Sequence, residues 1–341
     1  MGDAVEYRPF GRTGVRVSPL TLGAMQFGDA NREDGVRVIH RALDAGVNTI
    51  DTADVYQAGQ SEQVVGAALA GRRDSVFLAT KFHGAMGEDP NQRGNSRRWV
   101  ARAVEDSLRR LGTDWIDLYQ VHRPDPDTDF EETLSALTDL VRAGKIRYIG
   151  TSTFPASEVV EGQWIAERRG LARPVAEQPP YSILARGVER EVLPVARRYG
   201  MAVLPWSPLA GGWLGGGYRR GVERAETPRM GGRPEWFSTT EPRHAERMDA
   251  LDALTALADG AGITLAHLAL AFVIRHPVVT SAIIGPRTLE HLEKSLGAAD
   301  VVLSDDVLDE IDRIVPPGFS LPQGDFGYDP PSISDASTRR R

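Results

Sequence analysis

Four polar residues combine side-chain types and spacing that suit the delivery of a proton: Asp51, Tyr56, Lys81 and His122. Asp51 closes the short apolar run Asn48-Thr49-Ile50-Asp51, and a phenol follows at Tyr56 in the loop beyond it. Lys81 ends the run from Val76, and His122 follows the run Trp115 to Val121. Hydride arriving at a carbonyl carbon builds charge on the oxygen, and a positioned acid must supply a proton as that happens. Tyr56 is suited to this step. A phenol with an unperturbed pKa near about 10 is a sluggish base in the reverse direction, so an ammonium beside it would help by stabilising the phenolate. Lys81 supplies that ammonium, and Asp51 is its natural counter-ion at a site where an unpaired charge would be costly. His122 would orient the carbonyl oxygen or share the proton. Taken singly, each has an ordinary reading: an Asp at a strand end is usually a cap or turn former, and a lone Tyr or His usually packs. All four at successive strand ends make coincidence a poor account.

These residues meet only if the elements carrying them converge. Short apolar runs alternate with longer segments of helical period, which predicts repeated βα units and a parallel sheet. Eight strands are expected: Leu20 to Gly23, Thr49 to Asp51, Val76 to Lys81, Ile116 to Gln120, Tyr148 to Thr151, Val175 to Gln178, Ala202 to Trp206 and Ser281 to Ile284. A (β/α)8 TIM barrel opens the carboxyl ends of all its strands onto one face and so gathers residues from distant parts of the chain. Helix starts are signalled at Ser61-Glu62 and after Asp127-Thr128-Asp129, and Ala143-Gly144-Lys145 signals a stop. Residues 7 to 17, with Gly11 and Gly14 in the turn, predict an N-terminal β-hairpin that caps the closed end. The Gly-, Pro- and Arg-rich stretch 211 to 243 is too long for a plain connection and is expected to be a binding loop. Extra helices are expected over Met248 to Ala258 and Asp305 to Ile314. A single domain is expected, with its core over about 7 to 316 and a tail over 317 to 341 that crosses the open face and then frays.

The whole chain narrows the class further. With 341 residues, 41% hydrophobic and 26% charged, it can bury a large core, and disorder of its bulk is excluded. A net charge of −7 with mixed signs argues against a nucleic-acid surface. No cysteine is present, so disulfides, thiolate metal sites and cysteine nucleophiles are excluded. The seven histidines are scattered, none in a His-x-His or His-Glu-x-x-His pattern, and no metal is expected. The N-terminus lacks a signal-peptide pattern and no apolar run approaches about 20 residues, so no membrane association and a cytoplasmic location are expected.

With these motifs in hand, the chain resembles the aldo-keto reductase superfamily over nearly its whole length, from Phe10 to about Pro316. Asp51 to Tyr56 matches its Asp-Thr-Ala-x-x-Tyr motif, Lys81 its strand-three lysine and His122 its strand-four histidine. The resemblance implies an (α/β)8 barrel and a nicotinamide dinucleotide bound extended across its mouth. The absence of a Gly-x-Gly-x-x-Gly fingerprint agrees. It further implies that Ser152, Thr153 and Gln178 hold the nicotinamide carboxamide, with Thr153 standing where the family usually has asparagine. Trp206 would stack on the nicotinamide. Ser207, Leu209, Gly211 and Gly212 would approach the pyrophosphate through backbone groups. The segment Ile284 to Ser295, with Arg287, His291, Lys294 and Ser295, resembles the adenosine-phosphate segment. Lys294 and Ser295 stand where the family often has an acid and an asparagine. A helix N-terminus beside Arg287 suits an extra phosphate, which favours NADPH over NADH.

Within the superfamily, Trp206 to Leu209 and the segment 284 to 296 are most similar to the bacterial broad-substrate and potassium-channel β-subunit-like branch. The implied activity is reduction of an aldehyde or ketone to an alcohol by an NADP-dependent oxidoreductase, with a small-molecule carbonyl as its partner. Met25, Phe27, Phe82 and Trp213 are candidates for an apolar substrate pocket. Two alternatives stay open: a nucleotide-sugar ketoreductase or enoyl reductase of a biosynthetic pathway, and an NADPH-sensing regulatory subunit.

Overall fold

Side-chain alternation along parallel strands organises the molecule. The computed structural model describes residues 6–218, 220, 237–321, 328–335 and 337. In chain order the strands are β1 Arg8–Pro9, β2 Arg16–Val17, β3 Leu20–Gly23, β4 Thr49–Asp51, β5 Phe77–Phe82, β6 Ile116–Val121, β7 Ile146–Ser152, β8 Pro174–Gln178, β9 Ala202–Val203 and β10 Ala282–Ile284. The main helices are α1 Arg32–Asp44, α2 Gln60–Leu69, α3 Arg97–Leu111, α4 Phe130–Arg142, α5 Ala156–Arg169, α6 Val192–Tyr199, α7 Ala245–Gly260, α8 Leu265–Arg275, α9 Leu289–Leu296 and α10 Asp305–Ile314.

β10, then β3 through β9 in order, form one eight-stranded parallel sheet. The curl closes between β9 and β10 through Thr280 N–H to Val203 O (2.9 Å) and Ile283 N–H to Pro205 O (2.9 Å). The result is a (β/α)8 barrel. The seventh barrel strand stops at Val203 rather than running to Trp206, because Pro205 has no N–H for a ladder. Leu204 and Trp206 still bond back to Glu177 O and Pro179 O, so Trp206 stays beside the mouth.

Inside the barrel, residues two apart stack in layers. At the bottom, β1 and β2 form the expected hairpin, and Phe10 from its turn packs on Phe77, ring centroids 4.7 Å apart. Ala79, Leu118, Ala176, Ala202 and Leu204 share this inner cluster. Above them the same inward registers turn polar, at Lys81, Gln120, Ser152 and Gln178, all buried. An apolar floor under a polar rim leaves the chemistry at one end only. Gly150 is required here: a Cβ on it would lie 2.9 Å from Gln120 Cγ.

The outer face packs against the helices. α3 shows why these segments are helical: Ser96 accepts from the Trp99 amide as N-cap, and Gly112 ends the helix at φ +62°. Its residues Val100, Ala103, Val104, Leu108 and Leu111 are buried at helical spacing, each large one contributing about 1.5–3 kcal/mol by burial. The two extra helices occur as α7, longer than expected at both ends, and α10. Much of the expected binding loop, residues 219 and 221–236, lies outside the described residues, as do tail residues 322–327, 336 and 338–341. The start of the tail is anchored by Leu321 N–H to Leu184 O at 2.7 Å.

Candidate active site

At the carboxyl ends of β4 and β5, Lys81 Nζ lies 2.6 Å from Asp51 Oδ1, 2.8 Å from the carbonyl of Thr52 and 3.3 Å from Tyr56 Oη. The Lys81 side chain is fully buried. Burial opposes its charge, yet Asp51, followed by Tyr56, outweighs that and holds the ammonium above its ordinary range. Tyr56 opens a turn in which Gln57 and Ala58 adopt left-handed conformations, at φ +49° and +52°. Such conformations cost free energy in residues with a Cβ and persist where surrounding structure enforces them. Here they hold the phenol over the lysine.

His122 follows β6 and meets the Tyr56 ring edge-on, centroids 5.6 Å apart at 82°. Burial, reinforced by the positive charges of Lys81 and Arg123, pushes its pKa well below the usual histidine range. His122 is therefore a neutral imidazole at neutral pH. The four expected catalytic residues thus come together in one cluster, with Asp51 and Lys81 buried and Tyr56 and His122 half-buried.

The second oxygen of Asp51 is not idle. Gln178 Nε2 donates to Asp51 Oδ2 at 2.8 Å and to Gln120 Oε1 at 3.3 Å, while Gln120 Nε2 donates to the same Asp51 oxygen at 3.2 Å. Two glutamines from β6 and β8 therefore lock the carboxylate that locks the lysine. Gln120 was not anticipated, though it lies two residues before His122 and so faces the same way. His83 was also missed; it follows Lys81 and Phe82 at φ +135°. Arg123 was missed too, and its guanidinium carbon lies 5.9 Å from the centre of the Trp206 ring.

The expected cofactor residues divide. Ser152 Oγ donates to the Gln178 carbonyl at 3.0 Å, so these two and Thr153 are contiguous. Thr153 is left-handed at φ +61°, a conformation that asparagine tolerates better than a β-branched residue, and its hydroxyl accepts from Trp206 Nε1 at 3.3 Å. Thr153 fixes the tilt of the half-buried indole. The loop that follows, expected to approach the pyrophosphate through backbone groups at Ser207, Leu209, Gly211 and Gly212, is wound on itself. Gly211 N–H is taken by Ser207 Oγ and Gly212 N–H by Leu209 O, both at 2.8 Å, because the loop winds into a tight turn. Leu209 packs partly on the core. Around α9, Arg287 is half-buried just before the N-cap Thr288 and makes no hydrogen bond or ion pair with the described residues. Lys294 instead pairs with Glu290, and Ser295 donates to the His291 carbonyl.

Two expected pocket walls are corrected. Phe82 and Phe27 are fully buried. Alternation explains Phe82: its neighbour Lys81 points inward, so the phenyl must point outward, where it stacks on Tyr119 at 4.9 Å. Phe27 is wedged against Gly35 and Val64, between α1 and α2. Met25 remains at the surface, 37% exposed. Trp213 is buried but lines a cavity of about 180 Å³ together with Tyr181, Ser182, Trp206 and Arg247.

Comparison with known sequences decides the family. The Aldo/keto reductase family pattern matches residues 19–316. This chain belongs to that family. It is 39% identical to an uncharacterized oxidoreductase of Bacillus subtilis, over 94% of this chain and 99% of that protein. It is 34% identical to a probable voltage-gated potassium channel subunit beta of rice, Oryza sativa subsp. japonica, over 91% of this chain and 97% of the relative. An aldo-keto reductase of Fusarium vanettenii is also 34% identical, with 89% of each chain covered. The family is one of oxidoreductases typically dependent on a nicotinamide dinucleotide. Among the described residues no single helix is long and apolar enough to cross a membrane, and no cluster of three or more His, Asp or Glu side chains suits a metal.

Proposed function

We propose that this protein reduces a small aldehyde or ketone to an alcohol with NADPH, Tyr56 delivering the proton to the carbonyl oxygen. The observation that carries this reading is Lys81 Nζ held between Asp51 Oδ1 and Tyr56 Oη inside a barrel mouth. The phenolic proton leaves as the carbonyl oxygen gains charge, and the adjacent ammonium stabilises the phenolate left behind. Asp51, locked by Gln120 and Gln178, keeps that ammonium charged and stationary. Neutral His122, edge-on to the phenol, is placed to hydrogen-bond the carbonyl oxygen and fix its approach.

The residues present fit a nicotinamide dinucleotide, which when bound would supply hydride. Trp206 offers an indole face whose Nε1 is tied by Thr153. Both hydrogens on Gln178 Nε2 and the one on Ser152 Oγ are committed, which leaves the Gln178 amide oxygen and the Ser152 oxygen as acceptors for a carboxamide N–H. Arg287 beside the α9 N-terminus suits the 2'-phosphate that distinguishes NADPH.

The test is oxidation of NADPH by purified protein against aliphatic aldehydes, aryl aldehydes, simple ketones and sugar nucleotides, with Tyr56→Phe as control. Turnover that depends on Tyr56 with simple carbonyls is expected. Turnover confined to sugar nucleotides would move the protein into a biosynthetic pathway. Tight NADPH binding with no turnover of any carbonyl would overturn the catalytic reading in favour of a sensor.

A further inference from the structure

We infer that His83 is a specificity-determining residue, selecting carbonyl substrates that carry a hydroxyl on the carbon next to the carbonyl. The inference rests on the proposed reduction and refines its substrate class. His83 is the second residue beyond Lys81, in the loop leaving β5, and the next residue, Gly84, lies so close to Val55 that a Cβ there would be 2.9 Å from Val55 Cβ. Val55 precedes Tyr56, so the His83 loop and the catalytic-tyrosine loop abut. The backbone N–H of His122 donates to the carbonyl of Phe82, the residue before His83, at 3.0 Å, so the start of the His83 loop also adjoins His122. It is half-buried, at the rim of the mouth.

Its backbone shows that this placement is imposed. A φ of +135° is costly for a residue with a Cβ, and it is held by Gly94 N–H donating to the His83 carbonyl at 2.8 Å. The ring is held as firmly. Asn95 is buried, its Nδ2 donates to the Arg123 carbonyl at 3.0 Å and its backbone N–H donates to Asp125 Oδ2 at 2.9 Å. Only the amide nitrogen can donate to a carbonyl, so the Asn95 flip is decided, and Oδ1 is the atom that faces His83 Nδ1 at 3.0 Å. Nδ1 therefore carries the proton. Burial, which outweighs the support of Asn95 and Asp125, lowers the pKa of His83 and keeps the ring neutral at neutral pH.

A neutral ring protonated on Nδ1 presents a bare lone pair at Nε2, and Nε2 has no partner among the described residues. The fold thus offers a fixed acceptor on a loop that adjoins those of Tyr56 and His122, the two residues assigned to the carbonyl oxygen. A hydroxyl one carbon away from that carbonyl satisfies the acceptor; a methyl in the same position leaves it unpaired. Sites built to accept a substrate hydrogen bond discriminate against analogues that lack the donor.

Hydroxyacetone and butanone differ by a hydroxyl in place of a methyl and form the test pair. The ratio of their kcat/KM values is measured in the wild-type protein and in His83→Phe, which keeps a ring but has no nitrogen, and His83→Gln, which restores an acceptor. The ratio should favour hydroxyacetone and fall about fivefold to tenfold in His83→Phe, the scale of one neutral hydrogen bond, with partial recovery in His83→Gln. A ratio unchanged by His83→Phe overturns the inference. A second readout does not depend on turnover: ¹⁵N resonances of the His83 ring should report the proton on Nδ1, with Nε2 shifting on addition of hydroxyacetone but not butanone. A proton on Nε2, or equal shifts with both ketones, also overturns it. The expected Nε2 shift without any NADPH oxidation would instead sink the proposed reduction and leave the binding site standing.

Discussion

Two buried charge clusters lie back to back across β4 and β5, and they use similar residues for different ends. On the inner side Asp51, Lys81, Gln120 and Gln178 form a network that ends at the half-buried Tyr56 phenol. On the outer side Glu62 of α2 accepts from Thr80 of β5 at 2.6 Å and from Arg110 of α3, also at 2.6 Å, while Thr52 and Ser61 bond each other at 2.8 Å. The outer network joins the sheet to two helices, and both Glu62 oxygens are occupied. The inner network ends on a half-buried phenol, the group proposed to give up a proton. An ion pair whose last member faces an opening can serve chemistry; one closed on all sides serves only attachment.

The sharpest way to break this contrast is Tyr56→Phe, which removes one oxygen at the open end. Turnover should drop about a thousandfold, within the range for a lost general acid, while the thermal midpoint stays near wild type. Retained turnover in a steady-state assay would remove Tyr56 from the proton path. Glu62→Gln should do the reverse: a loss of about 3 kcal/mol in denaturant unfolding, because Arg110 keeps a partly buried charge without its partner. Turnover per folded molecule should change far less. A large loss of kcat with normal stability would contradict a purely structural role for this cluster.

Asp54 sits between the two networks and belongs to neither. It is fully buried, and neither of its carboxylate oxygens forms a well-aligned hydrogen bond among the described residues. Burial, then the negative charge of Glu62, raises its pKa to about 8, against the opposing pull of the neighbouring Val55 backbone N–H and of Arg110 and Lys81. An unfolded aspartate titrates near about 3.9. Between these values the folded protein holds a proton that the unfolded chain has lost, so stability falls as pH rises from about 4 to about 8. The slope from this one group approaches about 1.4 kcal/mol per pH unit. Asp54→Asn should flatten that part of the unfolding profile. Glu177, raised to about 7 mainly by burial, will leave a residual slope of the same sign at lower pH. A slope unaltered by Asp54→Asn would show that Asp54 is ionised in the folded state.

The smallest expected effect lies outside both clusters. Arg287→Ala should weaken NADPH binding about tenfold, and NADH binding much less, as read by titration of intrinsic fluorescence. Equal losses for both nucleotides would remove Arg287 from recognition of the 2'-phosphate.

Much of the site was legible because a strand end is a local property. Asp51, Lys81 and His122 could be placed at the mouth from apolar runs alone, and the barrel followed from eight such runs separated by helical period. The same alternation, applied strictly, would have added Gln120 to the inner network and taken Phe82 out of the pocket. Phe27 could not have been assigned this way: it lies in a loop, where no periodicity says which way a side chain points. Nor could the internal bonds of the loop from Ser207 to Gly212 be read there, where the Ala210 and Gly212 amides meet the carbonyls of Ser207 and Leu209 once the turn closes.

What the sequence by itself determined is therefore which residues stand at the rim, since the two-residue period of a strand and the position of its last residue need no distant information. Only the tertiary structure decided what those residues bond to. Asp51 meets Gln178 across 127 positions of sequence because β4 and β8 face each other across the barrel. His83 acquires its proton on Nδ1 because a buried asparagine, its orientation set by the Arg123 carbonyl, points an oxygen at it. Hydrogen-bond partnership depends on distances of about 3 Å between elements that the chain brings together only when the barrel closes.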